Sequence, residues 1–133
     1  MSGELKVNGC LYISITLLRW RDIRNEAIVR LHDECGCSWV EIESLRLWQF
    51  IQGNRLRQDI MIRAGTKAIR VKLSTSLRHA LLAMYPQILL ILDWPYTQPL
   101  ICDRPFGRGL TASSIAQSYR RKRPQFKRYL NAK

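Results

Sequence analysis

The groups in this chain best suited to chemistry are its cations. The run Arg120-Arg121-Lys122-Arg123 is the densest, and Lys127 and Arg128 follow it, with Tyr119, Phe126 and Tyr129 interleaved. Cations spaced this way neutralise successive phosphates, and rings between them stack on bases or reach a groove. A second group, Arg63, Lys67, Arg70 and Lys72, lies in a stretch of alternating apolar and polar residues. The two phenols among cations, Tyr119 and Tyr129, are candidate nucleophiles for nicking a strand through a phosphotyrosine. In that chemistry Lys67 would serve as acid, and Arg120 or Arg121 would clamp the phosphate. The bland alternatives are a solvated strand face and a disordered, solubilising tail.

The whole chain supports the same direction. It has 22 Lys and Arg against 10 Asp and Glu, a net charge of +12. Such a field draws nucleic acid, an anionic membrane surface or an acidic partner. The tail has few bulky apolar residues opposite its cations, which disfavours the membrane. The longest apolar runs, such as Ile88 to Leu92, are too short to span one. The first residues lack a basic segment feeding an apolar run, so no secretory leader is expected. His32, Cys35 and Cys37 lie close together, but Cys-x-Cys without a second ligand pair fits no common zinc pattern. The expectation is no metal and no cofactor, with free thiols in a reduced, cytoplasmic chain.

These groups need elements to position them. With 133 residues and 47% apolar content, the chain suits one cored domain over 1–118 and a basic segment over 119–133. Leu11 to Leu18 is open between strand and helix. Ile23, Ala27, Ile28, Leu31 and Cys35 fall at helical spacing, with Asp22 as N-cap and Gly36 at the end. Ser38 and Glu41 form a capping-box pattern for a second helix to about Leu47. Residues 59–63 and 68–73 alternate around the turn Ala64-Gly65-Thr66-Lys67, which predicts a hairpin. Its alternation puts Arg70 and Lys72 on the face opposite Ile69 and Val71. Ser74 or Thr75 caps a helix to about Tyr85, ended by Pro86, with Leu77, Ala80, Leu81 and Met84 on its apolar face. Loops follow, with a short strand at Leu100-Ile101-Cys102. Thr111 opens a helix carrying Ile115, Ala116 and Tyr119, and Phe126, Tyr129 and Leu130 suggest a short docked helix after Pro124. Trp39 and Trp48 are placed in the core; Trp20, between Arg19 and Arg21, is open between core and a surface or partner contact. The fold class is α+β, mainly helical: a helix pair, a small antiparallel hairpin or three-stranded sheet, then further helices.

Three stretches in this order carry a family resemblance. They are Arg24-Asn25-Glu26-Ala27-Ile28 through Cys35-Gly36-Cys37-Ser38-Trp39-Val40-Glu41-Ile42, then Leu45-Arg46-Leu47-Trp48, then Ile60 through Gly65-Thr66-Lys67 to Arg70-Val71-Lys72-Leu73-Ser74. With a fainter match at Pro99–Cys102 and Gly109-Leu110-Thr111, they cover about residues 22–118. The pattern resembles the first half of the catalytic domain of the tyrosine recombinases (phage-integrase family). The resemblance implies that this half packs on duplex DNA, its hairpin and basic helices contacting phosphates. It places Lys67 at the family's hairpin lysine and Ser38 where the family has its first arginine. The family's later half, with its His-x-x-Arg motif and nucleophile helix, has no counterpart. Binding without recombination is therefore expected.

The leading expectation is a sequence-specific, double-stranded-DNA-binding protein of a mobile element. It would act in conjugative mobilisation at an origin of transfer, with some likeness to MpsA-type mobilisation factors. The DNA contacts would be Arg63, Lys67, Arg70, Lys72, Arg120, Arg121, Lys122, Arg123, Lys127 and Arg128. Lys67, Arg70 and the 120–123 cluster would share one concave surface with the helix pair. The alternatives are an atypical relaxase or nickase using a tyrosine nucleophile, or an interaction module or regulator that partners a full-length recombinase; the partners expected beside duplex DNA are other mobilisation or recombination proteins. The oligomeric state is open.

Overall fold

In the computed structural model, the helix expected at Asp22 begins far earlier. The structure describes residues 2–53, 55–64, 67–85, 97–105 and 107–131, with side chains over 17–53, 55–62, 67–85, 97–105 and 107–125. Helix α1 runs Ser2–Asp33 without a break, so Asp22 is not its N-cap. Between Cys10 and Asp33 there is no Gly or Pro to stop it. The apolar stripe of Ala27, Ile28 and Leu31 also continues backward through Ile23 to Trp20. A single aspartate at a mid-helix position costs too little to override that stripe.

The far end of α1 follows its glycine. Gly36 has φ +74°, and the turn closes with Gly36 N–H donating to His32 O at 3.2 Å and Cys37 N–H to Leu31 O at 3.2 Å. No atom would touch a Cβ there. Gly36→Ala should therefore cost only the left-handed backbone penalty, roughly 1–2 kcal/mol, measurable by urea unfolding. A change near zero would mean that the turn relaxes.

Ser38 then caps α2 (Trp39–Ser44) with a reciprocal box. Its Oγ accepts from Glu41 N–H at 3.2 Å, and Glu41 Oε1 accepts from Ser38 N–H at 2.8 Å. This helix stops short of Leu47. Leu45 turns extended because its carbonyl accepts from Leu100 N–H at 3.0 Å, and Leu47 N–H donates to Gln98 O at 2.9 Å. Pairing with the 98–100 segment replaces the last helical turn. A 3₁₀ turn at Leu47–Phe50 follows and buries both end residues.

Next come two separate two-stranded antiparallel sheets, not one of three strands. Strands β1 (Ile51–Gln52) and β2 (Arg55–Leu56) flank Gly53, whose φ is +64°. Strands β3 (Asp59–Ala64) and β4 (Lys67–Lys72) pair in full register from Asp59↔Lys72 to Ala64↔Lys67. Ser74 caps α3 (Thr75–Met84), as its position predicted, and Leu77, Ala80, Leu81 and Met84 are buried. Pro86 lies outside the described residues. Leu100–Cys102 is not a strand; Cys102 makes an isolated bridge to Gly109, and Pro99, just before the segment, makes one to Arg46.

Helix α4 spans Ala112–Asn131 with Pro124 inside it, so residues 118 and 119 fall within one helix rather than at a boundary. Proline has no N–H to give and leaves the carbonyl of Arg120 without its helical donor. The architecture is α+β, with one core formed by α1, α3, the 3₁₀ turn, the inner face of β3–β4 and the 100–102 segment. Trp20 belongs to that core, at 7% exposure, whereas Trp48 is 51% exposed and does not. Among the described residues, no helix is long and apolar enough to cross a membrane.

Candidate nucleic-acid interface

The β3–β4 hairpin divides its residues by the pleat. Ile60 and Ile62 are buried, and their partners across the ladder are Val71 and Ile69. The opposite face carries Asp59↔Lys72, Met61↔Arg70 and Arg63↔Ala68. Arg70 and Lys72 thus stand together on the solvent face. The side chain of Arg63 is outside the described residues, but its register position is on that face. Arg70 lies 3.8 Å from Asp59, in a pair with side-chain exposures of 71% and 39%. So open a pair contributes little and leaves Arg70 available.

Lys67 is placed differently. It is exposed beside the turn, but it shares parity with Ile69 and Val71, so it points to the face opposite Arg70.

A cleft joins the outer face to the small hairpin before it. Gln52, Arg55, Leu56, Arg57, Gln58, Asp59 and Arg70 line it. Arg55 and Arg57 were missed as candidates. The available signal was Gly53-Asn54 as a turn, followed by Arg-Leu-Arg with the apolar residue in the middle.

Helix α4 splits the densest cation run. Ile115 and Ala116 are buried, and the same face one and two turns on carries Tyr119, Lys122 and Arg123. These meet α1: Lys122 Nζ is 2.7 Å from Asp22 Oδ1, and Arg123 Nε is 2.7 Å from Asp33 Oδ2. Lys122 and Arg123 are thus occupied in docking α4. Arg120 and Arg121 lie on the exposed side. The single surface expected to gather Lys67, Arg70 and the 120–123 cluster does not form. The pleat separates the first two, and two carboxylates of α1 claim half of the cluster. The side chains of Lys127, Arg128 and Tyr129 lie outside the described residues.

Tyr119 is similarly engaged. Its hydroxyl donates to Asp33 Oδ1 at 2.8 Å, and its ring sits 4.9 Å from His32 and 5.0 Å from Trp39, centroid to centroid. Burial first, and then the Asp33 carboxylate, push its pKa up, which favours the neutral phenol. The Arg123 guanidinium beside it acts more weakly in the opposite direction.

A buried cation sits further back along α1. Arg24, 7% exposed, donates from Nη1 to Cys102 O at 3.0 Å, and from Nε and Nη2 to Asn25 Oδ1 at 3.0 and 2.8 Å. Burial lowers its pKa, and Arg21 adds to this. The guanidinium ties the main chain at Cys102 to α1.

The thiols near His32 are inside the fold. Cys35 is half-buried, Cys37 is buried, and neither is in a disulfide. His32 Nδ1 lies 2.8 Å from Cys37 O, and its ring stacks on Trp39 at 4.0 Å. Among the described residues, no group of three or more His, Cys, Asp or Glu is placed to hold a metal.

Burial raises Cys35 to about 11 and Cys37 to about 12, from an ordinary 9.0. Thiols of the unfolded chain ionise first as pH rises. The stability held by the neutral buried thiols is therefore complete below pH 9 and is lost toward pH 11–12. The urea midpoint should hold steady from pH 7 to 8.5 and fall by pH 10.5, less steeply in Cys37→Ala; identical slopes in both proteins would count against the assignment.

Comparison of the chain with protein-family models, with curated proteins and with solved structures finds no match in any of the three.

Proposed function

We propose that this chain binds duplex DNA through the outer face of the β3–β4 hairpin, as a catalytically degenerate relative of the tyrosine recombinases. The observation that carries this is charge on a rigid, solvent-facing mount. Residues 51–72 hold six cations and one acid, and Arg70 and Lys72 stand side by side on the outer face. A two-stranded ribbon of this kind fits a groove, with Arg and Lys on its solvent face meeting phosphates.

The recombinase likeness is supported by the order of elements. A helix ends on Gly36, a capped helix carries Glu41, the Leu45–Trp48 exit follows, and then a hairpin has Lys67 at its turn. Ser38 stands where that family has an arginine. Here its Oγ is an N-cap acceptor, which neutralises no phosphate. Binding without strand transfer follows. We place the protein on a mobile element, in conjugative mobilisation, occupying an origin of transfer beside other mobilisation or recombination proteins.

The test is selection of bound fragments from the source element's own genome, at about 0.15 M salt with excess competitor DNA. The expected result is a discrete protected site within the transfer region. Binding that disappears with competitor would overturn sequence specificity. A covalent adduct on a suicide oligonucleotide would overturn the degenerate reading.

A further inference from the structure

We propose that the cleft between the two hairpins is a phosphate site that takes one backbone phosphodiester of a nucleic acid. Arg55, Arg57 and Arg70 would supply the guanidiniums, and Asp59 is the counter-ion the phosphate displaces. The source of that phosphate rests on the DNA-binding reading; the cleft itself rests on its own geometry.

Arg55 and Arg57 flank Leu56, which is buried, so both flanking side chains turn away from the core on one side. The main chain beneath them is pinned. Arg57 N–H donates to Phe50 O at 2.8 Å, and Leu73 N–H donates to Gln58 O at 2.8 Å. The guanidiniums therefore stand on a fixed base, which lowers the ordering cost of binding. Arg57 is half-buried, and among the described residues neither it nor Arg55 engages a carboxylate.

The charges around the cleft are unbalanced: three arginines face one acid, and that acid sits 3.8 Å from Arg70 alone. Gln52 and Gln58 add neutral amide donors to the lining. Guanidinium forks match the oxygens of a tetrahedral phosphate, and each makes charge-assisted bonds that a solvated arginine lacks. A phosphate entering here relieves repulsion among the three cations and replaces the long Asp59 contact.

The test uses the full chain in three forms: wild type, Arg55→Gln with Arg57→Gln, and Asp59→Asn. Duplex affinity is measured from 50 to 300 mM KCl, with thermal unfolding as the folding control. Losing this one phosphate contact should lower the slope of log K against log salt by about 0.9 and weaken binding roughly fivefold at 0.15 M salt. Asp59→Asn should tighten binding, because it removes the competitor for Arg70. An unchanged slope and affinity in the double glutamine variant would overturn the site even while DNA binding stands.

If the wild type binds no duplex, the DNA-binding reading falls, and inorganic phosphate then tests the cleft. A saturable shift of the Arg55 and Arg57 Nε–Hε resonances, lost on glutamine substitution, supports a site for free phosphate. No shift overturns it.

Discussion

Reversing two charges on the outer face of β4, by Arg70→Glu with Lys72→Glu, should weaken duplex binding by about 10²–10³-fold at 0.15 M salt and leave the fold intact. Each phosphate contact releases close to one counterion, which at that salt is worth roughly a factor of five; removing two and adding two repulsions compounds to this range. The fold should survive because both side chains are exposed and neither pairs inward. Among the described residues Arg70 pairs only with Asp59, at 3.8 Å, and the hairpin is held instead by Ile60 and Ile62 and by its ladder. The control is Lys122→Gln with Arg123→Gln, which lowers the net charge by two on α4, against four for the reversal on β4. Those two cations are spent on Asp22 and Asp33. That variant should lose a little stability and less than about fivefold in affinity. A loss of about 10–30-fold in the control, half that of the reversal on a logarithmic scale, would mean that binding follows net charge, and the outer face would then have no special role.

That contrast marks how far the sequence was legible. Local capping chemistry was readable: Ser38 with Glu41, Ser74, and Gly36 each act within four residues. Alternation was readable too, and it grouped Arg70 with Lys72. It also placed Lys67 with Ile69 and Val71, a parity that the family resemblance drew attention away from. What failed depended on distant segments. Asp22 reads as a helix cap but serves as the acceptor for Lys122, one hundred residues on. Arg123 and Tyr119 read as free chemistry until Asp33, from the end of α1, occupies both. The second helix ends early because residues 98–100 compete for its main chain. Strands of two residues, such as β1 and β2, carry too little pattern to be seen, and Arg55 and Arg57 went unnoticed with them.

Trp20 shows the same limit at the largest energetic scale, since two flanking arginines give it the look of a surface residue. Replacing it with alanine should cost about 3–5 kcal/mol, the range for deleting a buried aromatic. The indole is 7% exposed, and its Nε1–H donates to Met84 O at 3.0 Å. Met84 is the last residue of α3, so its carbonyl has no donor within the helix. Alanine therefore opens a cavity between α1 and α3 and leaves that carbonyl buried without a partner. Trp20→Phe fills most of the space but cannot donate, so it isolates the second effect at about 1–3 kcal/mol. For a chain of this size, about 3–5 °C of Tm accompanies each kcal/mol, so the alanine variant should melt some 10–20 °C lower. The hairpins are mounted on the 3₁₀ turn rather than on α1. Below its melting point the variant should thus bind duplex with the wild-type Kd. A stability loss under 1 kcal/mol would return Trp20 to the surface. A normal melting curve with weakened DNA binding would make it a contact instead.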